Sequence, residues 1–69
     1  MNPTMDPAEE GARLLAEGQP AAAARLLAGV LQRDPSHLGA LHNLAGALQS
    51  LGDLASAEVL YRRLRSENA

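Results

Sequence analysis

The sequence predicts an all-α fold, two tandem antiparallel helical hairpins with four helices, a fragment of an α-solenoid. Three observations carry this. The apolar residues, 46% of the chain, are almost all Ala and Leu, with Tyr61 the one aromatic side chain; that mixture favours helix and gives strands little to pack. Pro, Gly and Asp recur where helices would start and stop. Between them, apolar residues fall three and four apart, the spacing that gathers them on one helical face.

Asp6 is placed as an N-cap, Pro7 at the first helical position and Glu9 in the first turn. A first helix is therefore expected from Pro7 to about Glu17, with Gly18 as the left-handed residue past its end. Pro20 opens a second stretch to about Arg33, with Ala23, Leu26, Leu27, Val30 and Leu31 on one face. Asp34-Pro35 stops it, because a residue before proline avoids the helical region. Ser36 is the expected cap of a third helix carrying Leu38, Leu41, Leu44, Ala45, Leu48 and Leu51. Gly52 closes that helix and Asp53 caps a fourth, on which Leu54, Ala57, Leu60, Tyr61 and Leu64 share a side before it fades near Ser66. Connections this short oblige successive helices to run antiparallel. The expected division is a tail over 1–5, a first hairpin over 6–35 and a second over 36–69.

Composition narrows the function. The formal net charge is -2 and all six basic residues are Arg, scattered except for Arg62, Arg63 and Arg65. Those three suit the negative end of a helix and solvent, and no basic face exists to neutralise phosphates, so nucleic acid is not an expected partner. The absence of Cys removes disulfides and thiolate chemistry. No apolar run approaches the roughly 20 residues of a membrane span, and the N-terminal residues do not resemble a secretory signal, so no membrane association is expected and the expected setting is cytoplasmic. Asp34, Ser36 and His37 have the residue types of a nucleophilic triad, but a triad needs converging geometry, and a capping role explains them better. His37 and His42 are turned away from each other on a helix, which disfavours a shared metal. No catalytic residue, cofactor or metal site is expected.

The chain also repeats itself. The register that lays Gly18 on Gly52 lays Gly11 on Ala45, Leu14 on Leu48, Ala23 on Ala57, Leu27 on Tyr61 and Val30 on Leu64. Two helices in roughly 34 residues is the period of the tetratricopeptide repeat. The stretch from Thr4 to Ala69 resembles that family. Leu41, Leu44, Ala45 and Leu48 are similar to its first-helix signature, Leu51-Gly52-Asp53 to its turn, and Ala57 and Tyr61 to its second helix. The first unit is a plainer copy, with Pro7 in place of a bulky residue. Val30 and Leu64 are larger than the family's usual residue there, which implies looser or turned packing between hairpins. Small residues at Ala45 and Ala57 suit the closest approach of two helices.

The resemblance implies a protein or peptide partner. Family members line a concave groove with the first helix of each hairpin; the matching positions here are Ala8, Glu9, Ala12 and Leu15, then His42, Asn43, Gly46 and Gln49. Of these, Leu15, His42, Asn43 and Gln49 are the expected partner-binding residues. Asn43 matches a position that can hold a peptide backbone, a task an amide suits because it both donates and accepts. The plain alternative for His42 and Asn43 is a solvated surface role. The chain has no Lys, and Arg13 does not match the basic clamp of chaperone-binding members, so that partner class is rejected in favour of an apolar or helical one.

Two repeats fall short of the roughly three a self-sufficient array needs. Gly11, Gly29, Gly39 and Gly46 lie inside predicted helices, each costing about 1 kcal/mol relative to Ala where exposed. The fourth helix is expected to leave Leu60, Tyr61 and Leu64 without cover, so self-association through them, most simply as a homodimer, is expected. The alternative is a docking or dimerising fragment of a larger multidomain protein.

Overall fold

The computed structural model describes residues 6–67, so the tail expected over 1–5 and the last two residues lie outside the described residues. Four helices follow one another: α1 Pro7–Ala16, α2 Pro20–Arg33, α3 Leu38–Ser50 and α4 Leu54–Glu67, with no strand among the described residues. The chain is all-α, as its Ala and Leu content and its punctuation imply. Each helix packs on the next, and α1 also reaches α3.

Local chemistry sets most of the helix ends. Asp6 Oδ1 accepts the Ala8 N–H at 2.8 Å and Asp53 Oδ1 accepts the Ser56 N–H at 3.2 Å, each satisfying a donor that the helix leaves open. Pro7 and Pro20 stand at first helical positions, where a missing N–H costs nothing. Gly18 (φ 79°) and Gly52 (φ 87°) take the left-handed conformation that other residues adopt only with strain. Around them the Gln19 N–H reaches the Leu14 carbonyl and the Asp53 N–H reaches the Leu48 carbonyl, both at 2.9 Å. With the Gly18 N–H on Leu15 and the Gly52 N–H on Gln49, these are two Schellman motifs at equivalent places in the two units.

One cap differs from the sequence expectation. Ser36 does not cap α3; the N-cap is His37, whose Nδ1 accepts the Ala40 N–H at 3.1 Å. The reason is the turn before it. The His37 N–H bonds the Asp34 carbonyl at 3.1 Å, making Asp34-Pro35-Ser36-His37 a β-turn with proline at its second position. Ser36 is thereby held inside the turn, and the helix begins one residue late. His37→Ala is expected to lower stability by about 1 kcal/mol, while Ser36→Ala stays within about 0.5 kcal/mol of the parent. Urea titrations followed by circular dichroism decide between them; the reverse order of losses would return the cap to Ser36.

The core joins the hairpins through small residues. Ala8, Ala23, Leu27 and Val30 from α1 and α2 cluster with Ala40, Leu44 and Ala47 of α3. Leu27 and Leu41 are the largest fully buried side chains. Val30, 7% exposed, is accommodated within this shared core despite its size. Ala45 and Ala57 are buried as well, as close helix approach requires. Gly11 does not meet the condition of exposure under which a helical glycine carries only its propensity cost. It is buried, and a Cβ there would stand 2.5 Å from Leu27 Cγ and Cδ2, so α1 approaches α2 through its missing side chain.

A candidate helix-docking groove

The second hairpin ends in an open groove of about 340 Å³ lined by Gln49 of α3 and Leu54, Ala57, Glu58, Tyr61 and Arg65 of α4. The α4 residues recur at intervals of three and four, so helical geometry sets them in one stripe. Ala57 is buried and keeps the floor low, whereas Leu54 is 61% exposed. Tyr61 is half-buried; its hydroxyl donates to Gln49 Oε1 at 3.2 Å, and its ring and that of His42 meet in a T-shaped arrangement with centroids 6.4 Å apart. The phenol thus ties α4 to α3 along the wall of the groove.

The internal repeat explains why a groove lies here. One repeat earlier in the chain, Gln49, Leu54, Ala57, Glu58, Tyr61 and Arg65 correspond to Leu15, Pro20, Ala23, Ala24, Leu27 and Leu31. In the first hairpin, Ala23 and Leu27 have no exposed surface, and Leu15, Ala24 and Leu31 pack against the same core, to which α3 contributes Ala40, Leu44 and Ala47. That surface is the bed of α3. Its counterpart on the second hairpin keeps the small floor residue, Ala57 for Ala23, puts Tyr61 in place of Leu27, and has polar walls where the first has apolar ones: Gln49 for Leu15, Glu58 for Ala24 and Arg65 for Leu31.

The opposite end of the chain is different. The α1 positions that correspond to Ala40, Leu44 and Ala47 are Asp6, Glu10 and Arg13. Arg13 is hydrogen-bonded to Glu10 and, at 2.7 Å, to Glu17. The Glu10 carboxylate first, then that of Glu17, raises the Arg13 pKa above its ordinary value. This face is charged and internally satisfied, while the groove end is partly apolar and open.

The residues named from the sequence are distributed unevenly about this site. Tyr61 and Gln49 line the groove, and His42 is exposed beside them. Asn43 is half-buried on α3. Leu15 packs against the core, with a Cδ 3.5 Å from where a Gly46 Cβ would stand, so it helps seat α3 on α1. Leu60 also packs against the core, and Leu64 is half-buried. Leu54, Glu58 and Arg65 were not among the expected binding residues. The repeat register could have found them, by carrying forward the first-unit residues that face α3. Arg62 and Arg63 have partners of their own: Arg62 pairs with Glu58 at 3.4 Å, and Arg63 Nη2 donates to the Pro35 carbonyl at 2.8 Å. Among the described residues no three His, Asp or Glu side chains gather as a metal site would require, and no helix is long and apolar enough to cross a membrane.

Stacked helical hairpins with matching turns and an open end surface define a helical-repeat scaffold. The tetratricopeptide repeat family model matches residues 14–69, and the chain belongs to that family. Repeats of this family serve as protein–protein interaction modules and are typically non-catalytic. No curated protein and no solved structure matches the chain.

Proposed function

We propose that this chain is an interaction module that receives an α-helix in the groove at the end of its second hairpin. The observation that carries the reading is the positional match between the groove and the bed of α3, residue for residue through the repeat. A surface that holds a helix in one hairpin recurs in the next, with Leu54 and part of Tyr61 left to solvent. Covering a Leu or Tyr side chain returns on the order of 1.5–3 kcal/mol, enough for a few such contacts to hold a helix in place. His42, Asn43 and Gln49 extend the contact along α3.

Leu54→Glu tests this. Leu54 is 61% exposed, so its replacement should leave the helical circular dichroism spectrum unchanged. Association, whether with itself or with a captured helix, should weaken at least about tenfold, the equivalent of one lost apolar contact of about 1.4 kcal/mol. Binding that is indifferent to this change would remove the groove from the function.

A further inference from the structure

We propose that the occupant of the groove is a second copy of this chain, whose α4 lies antiparallel on the first α4 about a twofold axis, Glu58 of each copy facing Arg65 of the other. The inference rests on the groove reading above and adds the identity and register of the occupant.

Direction comes from the repeat. Helices joined by short turns run antiparallel, so α3 runs against α2. A helix occupying the corresponding bed on the second hairpin would run against α4. A twofold axis perpendicular to α4 supplies such a helix from an identical chain, because it sets α4 against its own copy.

Charge then fixes the register. Glu58 and Arg65 both line the groove and stand two helical turns, or about 10 Å, apart on one stripe. Their charges are opposite. When two such helices meet antiparallel about a midpoint between Tyr61 and Arg62, each Glu58 meets the partner's Arg65, and both pairs form at once. The two Tyr61 side chains then flank the axis. The existing Glu58–Arg62 pair is 70% and 65% exposed, a class of contact worth little, so it does not hold Glu58 back from the second copy.

Head-to-tail stacking is the competing arrangement of two copies. It would lay α1 of one copy on α4 of the other, presenting Asp6, Glu10 and Arg13 where α3 presents Ala40, Leu44 and Ala47. Arg13 is already engaged by Glu10 and Glu17. Such a contact would bury charges against Ala57 and Tyr61 and, being heterologous, would leave the outer faces of a two-copy assembly uncovered.

The test is a charge exchange read by light scattering and sedimentation across a concentration series. The wild type is expected to dimerise. Glu58→Arg alone places like charges opposite one another at both ends of the interface, and so does Arg65→Glu alone; each should raise the dimer Kd at least about tenfold while the helical spectrum is kept. Mixing the two single variants should restore a heterodimer to within about threefold of the wild-type Kd, since every cross-pair is again of opposite sign. A monomeric wild type at high micromolar concentration overturns the proposal and leaves the groove to a different chain. A dimer broken by Leu54→Glu but indifferent to both charge changes overturns the register while the groove reading stands. A dimer indifferent to all three substitutions overturns both, and failure of the mixture to recover overturns the reciprocal pairing.

Discussion

Leu27→Ala is expected to remove about 2–5 kcal/mol of stability, the range for truncating a large buried aliphatic side chain. A domain under about 70–80 residues seldom has more than roughly 3–5 kcal/mol to lose, so the variant should be substantially unfolded at room temperature in dilute buffer. Leu27 holds this rank by position. It has no exposed surface, and it belongs to the cluster in which α2 meets α3 while its δ carbons lie over Gly11 of α1. The cavity would open where both hairpins share a wall, and small Ala side chains on either side have little reach to refill it. Equilibrium urea unfolding checks the value. A loss below about 1 kcal/mol would mean that the helices close over the gap.

Gly11→Val should be nearly as severe, for the opposite reason. The added Cβ alone would stand 2.5 Å from two Leu27 carbons, and one of those is the branching Cγ, which cannot swing aside as a methyl can. Overpacking of this kind costs about 1–3 kcal/mol or more, against a helix-propensity gain of well under about 1 kcal/mol for Gly to Val. Gly29→Ala is the control that separates space from propensity. Nothing lies within 4 Å of a Cβ at Gly29, so this substitution should stabilise by about 0.4–1 kcal/mol. If both substitutions shift the thermal midpoint in the same direction, close approach at Gly11 is not what keeps glycine there.

These two glycines show what the sequence could and could not convey. Both interrupt helix-forming segments and look alike in a linear reading; only the crossing of α1 over α2 distinguishes them. Features that depend on residues a few positions apart were legible, which is why Asp6, Pro7, Gly18, Pro20, Gly52 and Asp53 all sit where their backbone preferences put them. Ser36 failed because two local motifs competed for it, and the proline turn took the residue that the cap would have used. The candidate site was half legible. Tyr61 stood out as the lone aromatic residue in register with Leu27, but Arg65 read as a charge for the helix end and for solvent and Glu58 drew no reading, since only carrying the α3-facing positions of the first unit forward through the repeat marks them.

The hydrogen bond from Arg63 to the Pro35 carbonyl joins the last helix to the link between the hairpins. Its repeat counterpart is Gly29, which has no side chain to make such a strap. Hinging α4 away from the link therefore strains a tether that the first hairpin lacks. One exposed guanidinium thus fastens the C-terminal half of α4 to the residues that lead into α3, so the two helices of the second hairpin are joined at that end by a side chain as well as by their packing.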